Sequence, residues 1–128
     1  MNSERSAGIV GAIAGFTTVL LGAFGAHVLA PNFDARALEI WHTAILYQGL
    51  HALALLALAT SGSSATAPRW HLASVIGMVT GIVLFCGSLY ALALSASRWV
   101  GAITPLGGSA WLIAWAALVV LQWRRRRD

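Results

Sequence analysis

The 128-residue chain is 59% hydrophobic, only 9% charged, and carries a net charge of +4, whereas soluble domains hold about 25% charged residues. The length suits one domain, but no long stretch has the charged face of a helix covering a soluble core, which argues against a soluble fold. Charges are absent between Arg5 and Asp34, Glu39 and Arg69, Arg69 and Arg98, and Arg98 and Arg124. Each gap exceeds the ~20 residues that cross ~30 Å of hydrocarbon, so the expectation is an all-α integral membrane four-helix bundle, a single domain over residues 1–128.

The first span is predicted over residues 7–30, ending at Pro31-Asn32, a pair that breaks a helix and starts a turn. Its apolar run is longer than the ~7 to 15 residues of a signal-peptide core, and Pro31 occupies the position where cleavage would fall, so it reads as a retained helix. Gly8, Gly11, Gly15, Thr18, Gly22 and Gly25 follow at steps of three and four, which sets them on one stripe of the helix. Glycine inside a helix costs about 1 kcal/mol relative to alanine. Close approach of neighbouring helices in a membrane repays that cost, and the bundle is expected to pack through this glycine-rich spine.

A short loop with Asp34, Arg36 and Glu39 leads to the second span, predicted over residues 37–60. The Ser- and Gly-rich linker that follows ends at Pro68 and reads as flexible, with no site. In the third span, predicted over 70–95, Gly77 and Gly81 form a GxxxG pair, with Ser74 and Ser88 on the same small stripe. It is the expected partner of the first helix. For the fourth span, Thr104 is expected as N-cap and Pro105 as the first helical residue, giving a helix over 105–123. Arg5, Arg69 and Arg124 to Arg127 lie on the side of the termini, against Arg36 and Arg98 on the other. The excess of arginine puts both termini in the cytoplasm, with the bacterial inner membrane as the expected location.

The basic balance does not point to nucleic acid, because Arg124 to Arg127 form one block directly after Trp123 and read as an anchor to anionic lipid. The single Cys86 cannot form an intrachain disulfide. Polar residues fall at matched depths: His27 and His42 roughly 5 Å inside the outer boundary, Tyr47 and Tyr90 at ~12 Å, His51 and Cys86 at ~18 Å. Tyr47 and His51 are i,i+4, as are Cys86 and Tyr90, so each pair shares a face, and Gln48 flanks the first. The expectation is a polar seam between the second and third spans with His27 and His42 at its mouth. The plain counterpart is hydrogen bonding between helices, and for Cys86 a small core residue. His51 stands apart as an ionisable residue near mid-depth. Thr104, Gly107 and Gly108 place a helix N-terminus on the outer side, able to hold an anion or simply to let the helix approach the Gly22/Gly25 region.

Gly22-Ala-Phe-Gly-Ala-His27, Trp41-His-Thr-Ala, Tyr47-Gln-x-x-His51-Ala, Phe85-Cys-Gly-Ser-Leu-Tyr90 and Thr104-Pro-Leu-Gly-Gly108 stand in order along nearly the whole chain. Together they resemble the YgdD/YwdK-like family of small inner-membrane proteins, a domain of unknown function with relatives in eukaryotic organelles. The resemblance implies a four-helix membrane protein and no established reaction, cofactor or catalytic residue. It also implies that Cys86 stands where many relatives have Ser, and that the position of His42 varies.

No nucleophile-base pair, phosphate loop or paired carboxylate supports a conventional enzyme, and no catalytic residue is assigned. The first reading is a non-enzymatic protein embedded in the lipid bilayer that forms a homo-oligomer or joins a larger membrane complex. The second is binding or conduction of a small molecule, lipid headgroup or quinone through His27, His42, Tyr47, Gln48, His51 and Tyr90. The third is metal or haem binding by His27, His51 and Cys86, whose donors suit copper, zinc or iron but lack close ligand spacing.

Overall fold

The computed structural model describes residues 2–95 and 97–125. Every regular element among them is helical, and four helices are long and apolar enough to cross a membrane. Helix α1 (Ser3–Asn32) opens on Asn2, whose side chain accepts the Arg5 N–H at 2.9 Å. Helix α2 (Ala35–Ala59) opens on Asp34, whose carboxylate accepts the Ala37 N–H at 2.7 Å. Both satisfy donors that a helix start leaves free. Pro68 is the first residue of α3 (Pro68–Ala93), where its missing N–H costs nothing.

The last helix departs from expectation at its start. A 3-10 turn, Arg98–Ala102, leads into α4 (Thr104–Arg125). Thr104 does not cap this helix but lies within it, and its hydroxyl meets that of Ser88 at 2.6 Å. The threonine is spent on holding α4 to α3. The Ser-rich linker also differs from the flexible connection expected. Gly62, at φ 66°, allows a tight reversal into a helical turn over Ser63–Thr66. Ser63 is fully buried, and the Ser64 N–H donates to the Glu4 carboxylate at 3.2 Å, so the linker is pinned to the start of α1.

Helices packed through short loops form antiparallel neighbours, and here α1 packs on α2, α3 on α4, and the two hairpins meet through α2 and the second half of α3. Gly77 and Gly81 therefore face α4, not α1 as expected: a Cβ on Gly77 would stand 2.7 Å from the Ala114 Cβ and 2.9 Å from the Ala110 carbonyl. The α1 stripe packs on α2 instead. A Cβ on Gly8 would stand 3.3 Å from the Ala59 Cβ, and one on Gly11 3.1 Å from both the Leu55 Cβ and the Ala52 carbonyl. Two members of the stripe are not close contacts, since a Cβ on Gly22 meets only Ile45 at 3.9 Å and one on Gly15 meets nothing within 4 Å.

One device closes both hairpins. The Trp41 indole of α2 sits where a Cβ of Gly25 would be, and donates from Nε1 to the Leu21 carbonyl at 3.1 Å. The Trp111 indole of α4 sits where a Cβ of Gly81 would be, and donates to the Met78 carbonyl at 3.2 Å. In each first helix a π-helical turn begins at or next to that glycine, Gly25–Leu29 in α1 and Ile82–Cys86 in α3. Both indoles lie roughly 10 Å along their own helices, counted at 1.5 Å per residue, and both are buried. The core gathers around small residues, with Ala7, Ala44 and Ala114 beside Leu55, Met78 and Trp111.

Candidate functional site

The buried polar residues divide into three groups, each set by the face its helix presents. Around Gln48, three helices meet. The Gln48 amide nitrogen donates to the Ala14 carbonyl at 3.1 Å and to the Thr17 hydroxyl at 2.8 Å, and its oxygen accepts from the Tyr90 hydroxyl at 2.7 Å. The Tyr90 ring lies on Trp41, centroids 4.8 Å apart, and the Cys86 thiol, one turn away on α3, donates to the Ala44 carbonyl at 3.4 Å. α1, α2 and α3 are thus clasped by one side-chain amide.

His51 belongs to a second group, one turn further along α2 and turned toward α4. Its Nδ1–H donates to the Tyr47 carbonyl at 2.7 Å, which fixes the tautomer, and Nε2 accepts the Trp115 indole N–H at 3.2 Å. The ring stacks on Trp111 at 3.7 Å with planes 5° apart. Tyr47 and Phe85 complete the aromatic group, their centroids 5.7 and 4.7 Å from Trp111. Both imidazole nitrogens are committed, so His51 offers no lone pair to a metal or a substrate in this arrangement.

The seam expected between α2 and α3 therefore does not form as one surface. Tyr90 reaches Gln48 rather than Tyr47, and Cys86 reaches the Ala44 backbone rather than His51. Matched depth is not matched azimuth: Tyr47 and Gln48 are adjacent on α2 and point ~100° apart, one toward α4 and the other toward α1 and α3. His27, on the π turn of α1, and His42, on α2, are exposed and bond to no described residue. His42, with Glu39 and Thr43, borders an open surface cavity of about 420 Å³ that His27 does not line. His27, His51 and Cys86 do not converge, and no group of three or more His, Cys, Asp or Glu side chains that could hold a metal occurs among the described residues. A Cβ on Gly107 would overlap the backbone of Phe85, and one on Gly108 would stand 3.9 Å from the Phe85 ring. The glycines of this turn serve the contact between α3 and α4, not an approach to Gly22 and Gly25.

The third group was not anticipated. His71, fully buried at the start of α3, donates from Nε2 to the Leu58 carbonyl at 3.2 Å, and its Nδ1 accepts the Ser3 hydroxyl at 2.9 Å. It joins the ends of α1, α2 and α3 beside the Ser63 turn. Its position directly after Arg69-Trp70 invites reading as an interfacial residue, and nothing in the spacing marks it as a joint. Across the described residues no buried side-chain nitrogen or oxygen lacks a partner.

Four apolar spans, tight glycine contacts and polar side chains bonded across the helices define a small polytopic integral membrane protein. Within that class, the chain belongs to the family described as protein of unknown function (DUF423), whose model matches residues 21–108. It is 44% identical over 118 residues to the UPF0382 membrane protein YwdK of Bacillus subtilis, covering 88% of this chain and 91% of that protein. It is 42% identical over 119 residues to the UPF0382 inner membrane protein YgdD of Escherichia coli, covering 93% and 90%. No solved structure matches it.

Proposed function

We propose that this protein is a non-enzymatic membrane subunit that associates with itself or with a larger complex through the outward face of α1, while its buried polar residues serve as internal clasps. The observation that carries the reading is Gly15. This glycine stands mid-helix, at a cost of about 1 kcal/mol relative to alanine, yet beyond its own turn of helix no described residue comes within 4 Å of the place its Cβ would occupy. Around it, Ile13, Phe16 and Val19 are 58, 69 and 74% exposed. A second helix seated there would supply the close approach that the chain itself does not.

The names of relatives and the arginine distribution support residence in the bacterial inner membrane with both termini cytoplasmic. Binding or conduction through the His/Tyr residues has less support, because a ligand would have to displace the bonds of Gln48, Tyr90 and His51 one by one. The test is the mass of the protein in mild detergent, with crosslinking in native membrane. A dimer or larger species lost in Gly15→Leu, with the helical content retained, is the expected result. A monomer in mild detergent that crosslinks to nothing would sink the reading.

A further inference from the structure

At the end of the bundle away from the termini, the start of α2 and the end of α3 border a half-open cavity of about 210 Å³, where Arg36, Ser95 and Arg98 are exposed. Asp34, Arg36 and Ile40 line it from one side, and Leu92, Ser95 and Arg98 from the other. The two guanidinium groups come from different segments, yet neither forms an ion pair or hydrogen bond with any described residue. Asp34 also lines the cavity; its carboxylate is engaged by the Ala37 N–H as the cap of α2 and makes no ion pair with either arginine, so two positive charges and one negative charge leave the lining with an excess of one positive charge. Ser95 adds a hydroxyl that has no partner among the described residues and is held at φ 69°.

Two cations and a single carboxylate at one cavity leave an excess of positive charge that a bound anion offsets. Guanidinium groups present paired N–H donors that match phosphate oxygens, and a cavity of about 210 Å³ has room for a phosphate ester. The lower wall is apolar, formed by Ile40 and Leu92, while the arginines lie at the end of the spans, at headgroup level. Free donors above an apolar floor suit a group that is anionic at one end and hydrocarbon at the other.

We infer that this cavity binds a phosphate-bearing anion, held by Arg36, Arg98 and Ser95. The chemistry is shared by a phospholipid headgroup and by free phosphate. It is independent of the contact proposed for α1, which lies on another face of another helix. The experiment is native mass spectrometry of the full chain in mild detergent, titrated with phosphatidylglycerol and, separately, with inorganic phosphate. The tightest site should weaken at least tenfold in the Arg36→Gln/Arg98→Gln variant and stay near the wild-type value in Arg5→Gln, whose charge lies at the opposite end. Displacement of the lipid by millimolar phosphate identifies free phosphate as the occupant; lipid binding that resists phosphate identifies the headgroup. If the double variant does not fold, Arg36→Gln and Arg98→Gln alone carry the test, each with a loss of about threefold or more. Binding unchanged in the arginine variants, an equal loss in Arg5→Gln, or no binding of either probe by the wild type overturns the inference.

Discussion

Gln48 illustrates how a side chain in a low-dielectric interior acts through what it leaves behind when removed. Its amide satisfies Thr17, the Ala14 carbonyl and the Tyr90 hydroxyl at once. Hydrogen bonds between membrane helices average ~0.6 kcal/mol and reach ~1.7 kcal/mol, while orphaning a buried polar group costs about 1 to 3 kcal/mol. Gln48→Leu should therefore destabilise by about 2 kcal/mol, and Tyr90→Phe by less, since it leaves only one acceptor of Gln48 unfilled. A double-mutant cycle of the two, read by tryptophan fluorescence during unfolding in mixed detergents, should give a coupling near 1 kcal/mol; strictly additive losses would show that the bond contributes nothing. Ser95 makes the opposite case. It is the only described non-glycine residue with positive φ, a conformation that costs about 1 to 2 kcal/mol for an L-residue, and it sits just past α3 where a helix commonly ends on glycine. Ser95→Gly should raise the thermal midpoint by a few degrees while removing one donor from the arginine cavity.

Between helices, the decisive quantity is how near two backbones come, and the glycines are not equivalent in this respect. The Trp41 indole fills the Cβ position of Gly25, and it is fixed there by its bond to Leu21 and by Phe33 and Tyr90 around its ring. Gly25→Ala should cost about 1 to 3 kcal/mol, the usual range for overpacking, and Gly81→Ala should cost a similar amount through Trp111. Gly15→Ala meets no atom and gains helix propensity of about 1 kcal/mol, so monomeric protein should become more stable. Thermal unfolding of the three variants separates these outcomes, and equal effects at Gly15 and Gly25 would contradict the packing described. Periodicity in the sequence reveals that such glycines share a stripe, and charge spacing reveals four spans, because both are properties of single segments. Which helix meets which stripe is a property of pairs. GxxxG at Gly77 and Gly81 points equally well toward α1 or α4, and only the loops and the two tryptophans decide for α4. The polar ladder was legible as residues and depths for the same reason, whereas its separation into the Gln48 and His51 groups depends on azimuth, and His71 carried no signal beyond its identity.

For the molecule as a whole, an even number of spans puts both ends of the chain on one face of the membrane, and the orientation proposed above rests on the balance of arginines between the two faces. Six of eight lie on the side of the termini, four of them in the terminal block Arg124 to Arg127. Arginine near span ends resists translocation, and counts in short loops set orientation. Substitution of those four by Gln leaves Arg5 and Arg69 against Arg36 and Arg98, an equal count. The wild-type chain should thus carry a fluorescent protein fused at its C-terminus in the folded, fluorescent form, and a phosphatase fused there should be inactive. With the four arginines replaced, the same fusions should report a mixed population, fluorescence falling as phosphatase activity appears. The arginines left on the far side, Arg36 and Arg98, are the pair that borders the cavity, so under the charge rule they oppose the orientation proposed from the terminal block. Arg36→Gln/Arg98→Gln should restore a single orientation to the block-deleted chain, giving full fluorescence again. If it instead stays mixed, orientation is set by the order of insertion of the spans rather than by the balance of charge, and the terminal arginines serve only to hold the chain to anionic lipid.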